Sequence, residues 1–216
     1  MSANSKVALV VVAVVAVVIG VVVSVTRNGS EDNPAGAQPA ALVREDSHRL
    51  STAPDGKVTV VEFLDLECGA CGAAFPGVER LRAEYGDRVT FVLRYFPIPS
   101  HRNAELAAAA VEAAGQQGKL EEMYRMMYET QPSWAGQQVS HRDTFVGFAR
   151  ELGLDTAKFE AALDDPATMA RVHADRDDGV TVGVQGTPTF FVNGTVFTGP
   201  PSYEGLKSAI DRELAR

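Results

Sequence analysis

Val58-Thr59-Val60-Val61-Glu62-Phe63-Leu64-Asp65-Leu66-Glu67-Cys68-Gly69-Ala70-Cys71 decides how this chain folds. The run Val58–Leu64 is apolar and β-branched, which predicts a buried strand, with one acid, Glu62, in its middle. Beyond it a C-x-x-C falls at the start of a predicted helix. There, unpaired backbone N–H groups and the positive end of the helix dipole favour a thiolate over a thiol.

Cys68 and Cys71 are the only 2 cysteines of the chain, so they pair with each other, with another chain or with a metal. Zinc normally takes four ligands, and no second C-x-x-C or His-x-x-x-His is present. The pair therefore reads as a redox dithiol rather than a metal knuckle, with a static structural disulfide as the alternative. Gly69 and Ala70, small and neutral, leave the first sulfur uncovered.

Working outward toward the N-terminus, Val7–Val25 carries no charge and is long enough to cross a membrane as a helix. It exceeds the apolar core of a cleaved signal peptide, and the small-x-small site Ala35-Gly36-Ala37 lies well beyond it. The expectation is an uncleaved single-pass anchor over residues 1–27. Lys6 and Arg27 flank it evenly, so charge does not orient it; a disulfide chemistry places the following domain outside the cytoplasm. Residues 28–41, rich in Asn, Gly, Ser, Pro and Ala, read as a flexible linker. Residues 42–216 suffice for one domain with its own core. The net charge of −8, with no basic cluster, excludes a nucleic-acid partner.

Working outward toward the C-terminus, Phe75, Val78, Leu81 and Tyr85 fall at helical spacing around Pro76, which should kink that helix. Val89–Phe96 is a second strand. A long helical stretch follows, with an alanine-rich segment from Asn103 and N-caps expected at Asp155 and Asp165. Thr189–Val192, Asn193-Gly194 and Thr195–Phe197 form a hairpin, and Tyr203, Leu206, Ile210 and Leu214 mark a last helix. This order predicts an α/β sheet with a helical insertion.

Four features together resemble the DsbA-like thiol–disulfide oxidoreductases of the thioredoxin-fold superfamily, across residues 58–214: Glu62 six residues before Cys68; Cys68-Gly69-Ala70-Cys71 with Pro76 five residues on; Gly186-Thr187-Pro188-Thr189-Phe190 opening a hairpin; and Phe96-Pro97-x-Pro99 leading into alanine-rich helices. The resemblance implies a thioredoxin fold, a central mixed sheet flanked by helices, with a helical insertion at about 101–180, here preceded by the transmembrane helix. It makes Cys68 the exposed nucleophile, Cys71 the buried resolving thiol and Pro188 the cis-proline laid against them. Glu62 becomes the buried acid serving Cys71. Thr187 would pair with an extended substrate, beside Gly69 and Ala70. No cofactor or metal is implied. Many strong oxidases of the family carry a histidine between the cysteines; Gly69-Ala70 lacks it.

The resemblance further implies oxidation of reduced secreted or cell-envelope proteins, with a membrane quinone-linked thiol oxidase as electron acceptor. A reductase or isomerase fed by a membrane donor, or a non-catalytic peptide-binding module, are the alternatives. His48, His101, His141 and His173 show no ligand spacing and read as surface or packing residues. Trp134, Met123, Met126 and Met127 read as core of the insertion, and Glu121-Glu122 and Asp177-Asp178 as solvated faces.

Overall fold

The structure, a computed structural model, describes residues 41–216. The expected anchor over 1–27 and all but the last residue of the expected linker lie outside them. Among the described residues no helix is long and apolar enough to cross a membrane.

The quoted stretch forms β2 (Thr59–Leu64), buried throughout, and runs through a short turn into α1 (Gly69–Tyr85). β3 (Thr90–Tyr95) lies parallel to β2, with Glu62 opposite Leu93. On the other side β4 (Thr189–Val192) runs antiparallel, with Glu62 opposite Phe190. Two short edge strands, β1 (His48–Ser51) and β5 (Thr195–Val196), complete a mixed sheet in the order β1-β3-β2-β4-β5. Asn193 (φ 46°) and Gly194 (φ 79°) both take left-handed backbone, as a two-residue hairpin turn requires. The sequence pattern did not reveal β1. It is four residues long, begins His48-Arg49 and has no run of apolar residues.

Successive residues of a strand face opposite sides, and this alternation sets the site. Val61 and Phe63 face one layer, with Val92, Phe96 and Phe191. Val60 faces the other, where Val78, Leu81 and Tyr85 of α1 meet Leu206 and Ile210 of α7 (Tyr203–Leu214). Leu64 on that second face packs with Cys71 and Phe75. Glu62 lies between Val60 and Leu64, and so points beneath α1 toward Cys71.

Between β3 and β4 the chain builds the insertion: α2 (Ala104–Gly115), α3 (Leu120–Glu129), a 3-10 turn (Gln131–Ser133), α4 (Arg142–Glu151), α5 (Thr156–Leu163) and α6 (Pro166–Thr181). α2 is its hub: seven alanines on it are buried, and their small side chains let α3, α5 and α6 pack close. Asp155 accepts from Lys158 N at 3.1 Å and Asp165 from Ala167 N at 2.8 Å, so both expected caps form.

A buried cation ties the insertion to the sheet. Arg94 on β3 is fully buried; its Nε donates to Asp175 of α6 at 2.7 Å and its guanidinium also to Asp178 at 2.5 Å and the Leu42 carbonyl at 2.7 Å. Asp178 is therefore not a solvated acid, as its neighbourhood in sequence suggested. Two carboxylates and a carbonyl compensate a charge that could not be buried alone.

Candidate active site

Cys68 is the N-cap of α1, in extended backbone (φ −70°, ψ 120°), with no side-chain cap and no acid in the first turn. The N–H groups of Ala70 and Cys71 are therefore left to the Cys68 sulfur. Both cysteines are free thiols, Cys68 half-buried and Cys71 1% exposed. The Cys68 thiol donates to the Thr187 carbonyl at 3.4 Å. The Thr187–Pro188 peptide is cis. The Thr187 hydroxyl oxygen is buried without a partner of its own, close enough to Cys68 to donate to a thiolate.

The two sulfurs have opposite characters. The Cys68 thiol is drawn down from 9.0 to about 5, chiefly by a hydrogen bond from Cys71; Thr187 and the N–H groups of Cys71 and Ala70 add to it and outweigh partial burial. Burial pushes the Cys71 thiol far above the ordinary range, reinforced by its bond to Cys68 and the charge of Glu62. Glu62, 7% exposed, is pushed up to about 8 by burial, with the charge of Glu79 adding to it. The apolar surroundings come largely from the insertion. Tyr124 and Tyr128 of α3 pack on Phe75 of α1, with Phe75 and Tyr128 stacked at 5.0 Å.

The seven site residues expected from sequence therefore converge on one end of the sheet. Gly69 and Ala70 are exposed beside Cys68, Thr187 and Pro188 line its other side, and Cys71 and Glu62 lie below. Three residues with contacts here were not foreseen as site residues. Gln131, buried in the 3-10 turn, donates to the Leu66 carbonyl at 2.8 Å and the Cys68 carbonyl at 3.0 Å. Glu67 accepts from Asn103 N at 2.6 Å and Gly136 N at 3.0 Å. Asp65 accepts from Glu67 N at 2.7 Å, Ile98 N at 2.9 Å and His101 Nδ1 at 2.6 Å. Asp65 and Glu67 sit in the quoted stretch as charges at the end of an apolar strand, a usable signal. Gln131 carries no local pattern. Trp134, Met123 and Met127 are fully buried, with Trp134 edge-on to Phe145 at 5.0 Å, so they pack the insertion.

The Gln131 clamp leaves no room at Gly72. A Cβ there would lie 2.0 Å from Gln131 Oε1 and 2.8 Å from its Cδ, while the same amide is held by two carbonyls. Gly72→Ala is expected to destabilise the protein by about 1–3 kcal/mol through overpacking. Thermal denaturation checks this; an unchanged midpoint would mean that Gln131 does not grip this turn.

A family model described as Thioredoxin matches residues 47–212. The chain belongs to the thioredoxin family, with a helical insertion between β3 and β4 and a pair of free thiols at the N-terminus of α1. A thioredoxin-like oxidoreductase from Silicibacter pomeroyi DSS-3 is 29% identical, with a TM-score of 0.70 over 83% of this chain and 99% of that one. BdbD from Bacillus subtilis, in its oxidised form, shares the fold at 23% identity and a TM-score of 0.70, over 86% and 100% of the two chains. The Na(+)/H(+) antiporter NhaA of Herminiimonas arsenicoxydans is 36% identical over 162 residues, 75% of this chain and 24% of that protein. The chain thus spans about a quarter of the length of the curated relatives it matches.

Proposed function

We propose that this protein oxidises cysteine pairs of secreted or cell-envelope proteins outside the cytoplasm, tethered by Val7–Val25. The observation that carries the reading is the asymmetry of the two thiols: a half-buried Cys68 drawn down to about 5, beside a buried Cys71 driven the other way. A substrate thiolate attacks Cys68 of the disulfide form, and Cys71 departs and takes a proton from Glu62. The second substrate thiol then attacks the substrate sulfur of the mixed disulfide and expels Cys68 as a stable thiolate. A low-pKa leaving group favours donation of the disulfide. In this reading the edge of the Thr187–Pro188 loop pairs with an extended substrate segment, which Gly69 and Ala70 leave unobstructed. A membrane quinone-linked thiol oxidase would regenerate the disulfide.

The measurement that tests the direction is the reduction potential of the Cys68–Cys71 pair against a glutathione buffer. A value toward the ~−120 mV of strong oxidants is expected; one near ~−270 mV would turn the proposal into a reductase.

A further inference from the structure

We infer that a cleft beside the β3–α2 loop, carrying Arg102 and Arg176, receives acidic side chains that flank the reactive cysteine of a substrate protein. The inference rests on the thiol–disulfide reading above and deepens it by naming a substrate class.

The topology brings the cleft and the thiol to one end of the sheet. β2 and β3 are parallel and β4 runs against them, in the order β3-β2-β4. The C-terminal ends of β2 and β3 and the start of β4 therefore share that end. β2 leads to Cys68, β4 is entered through Thr187–Pro188, and β3 leads into the loop from Phe96 to Asn103. By strand order the turn that presents Cys68 lies between the cis-proline loop and the β3–α2 loop. Asp65 joins that turn to the second loop. Its side chain accepts from Ile98 N at 2.9 Å and His101 Nδ1 at 2.6 Å, and its carbonyl accepts from Cys68 N at 3.1 Å. Neighbouring strands lie ~4.8 Å apart and an extended peptide advances ~3.3 Å per residue. A segment held at Thr187 and crossing Cys68 thus reaches the β3–α2 loop within a few residues.

The cleft, about 410 Å³, is preformed and its free donors are guanidiniums. Pro97 and Pro99 line it without an N–H to offer, and Ile98 N and His101 Nδ1 are spent on Asp65. The Ile98 carbonyl accepts from His101 N at 2.9 Å, which closes the loop into a turn. Recognition falls to Arg102, exposed, and Arg176 of α6, half-buried. Among the described residues neither makes an ion pair or a side-chain hydrogen bond. Their neighbours on the same elements differ: Arg94 of β3 is taken up by Asp175 and Asp178, and Arg171 of α6 by Asp175 and Asp46. The acid in the lining, Glu105, is engaged by His173 at 3.0 Å. A guanidinium with unused donors binds a carboxylate through two parallel hydrogen bonds. The chain as a whole carries a net charge of −8 and repels acidic partners, so this cleft is where an acidic flank gains rather than loses. A rigid, proline-walled notch admits a carboxylate on a side chain at little ordering cost.

The test compares the full chain with its R102Q/R176Q variant on two dithiol peptides that differ only in a run of Glu or of Gln beside the cysteines, placed on either side in turn. The parent is expected to prefer the Glu peptide roughly three- to tenfold in kcat/KM, mostly through KM, and less as salt rises. R102Q/R176Q is expected to lose the preference while its rate on the Gln peptide and its Cys68 thiolate absorbance stay as in the parent. The same peptides with serine in place of cysteine, followed by fluorescence anisotropy, should show the same arginine-dependent preference in binding. A parent indifferent to Glu and Gln, or a preference that survives R102Q/R176Q, overturns the inference. Arginine-dependent binding to vesicles of anionic phospholipid in place of the peptide preference also overturns it and hands the cleft to a membrane surface. A failure of the oxidase reading shows separately, as a parent that turns over neither peptide, and the anisotropy then decides the cleft by itself.

Discussion

Cys68→Ser is expected to abolish disulfide exchange with a reduced peptide, by at least roughly a thousandfold, because a serine hydroxyl at neutral pH offers neither the thiolate nor a sulfur to attack. Cys71 cannot take over. It is 1% exposed, and burial holds its thiol far above the ordinary range. Cys71→Ser should behave differently. Cys68 remains low in pKa and reachable, so mixed disulfides with substrates form but are not resolved from within the protein. Non-reducing gels would show these adducts in Cys71→Ser and none in Cys68→Ser. A Cys68→Ser protein that still binds peptide, set against a parent that shows no turnover, would instead mark a peptide-holding module with a static clasp.

That contrast between two cysteines three residues apart is built by parts of the chain that differ greatly in legibility. β2, the C-x-x-C, Pro188 and the hairpin were readable because each is a local pattern: an apolar β-branched run, a motif at a helix start, a proline before a strand, an Asn-Gly pair. Glu62 was readable as a buried acid because Val60, Val61, Phe63 and Leu64 flank it, and its place beneath the cysteines came from the resemblance. The controls on the site were not. Gln131 reaches the Leu66 and Cys68 carbonyls across more than sixty residues of sequence, and nothing around it distinguishes a buried clamp from a surface amide. Arg94 reads as a charge interrupting a strand until Asp175 and Asp178 arrive from α6. His101 looked like one of four scattered histidines, since its partner Asp65 lies thirty-six residues earlier. Long-range pairs of polar groups leave no periodic trace in a sequence.

Glu62→Gln should raise stability and lower activity together, with a pH dependence that separates the two effects. Burial, with the charge of Glu79, lifts this carboxyl from 4.5 to about 8 in the folded protein. Between those values the folded chain holds a proton that the unfolded chain has lost, so stability falls as pH rises through this window. Below the unfolded value Glu62 is neutral in both states and costs nothing in charge. Above about 8 it is ionised in both, and the folded state bears the full penalty, on the order of 5 kcal/mol. Glutamine never ionises. The variant should therefore match the parent near pH 4 and exceed it by several kcal/mol at pH 9, as read from denaturant midpoints. Activity should move the opposite way. Cys71 departs as a buried thiolate that needs a proton at once, and it must give one up when the disulfide is remade; a group near 8 exchanges protons in both directions at neutral pH. Without it, single-turnover exchange is expected to slow by about a hundredfold, with Cys68 ionisation nearly unchanged. Equal stability of the two proteins across the pH range would place Glu62 in contact with water and remove it from the chemistry of Cys71.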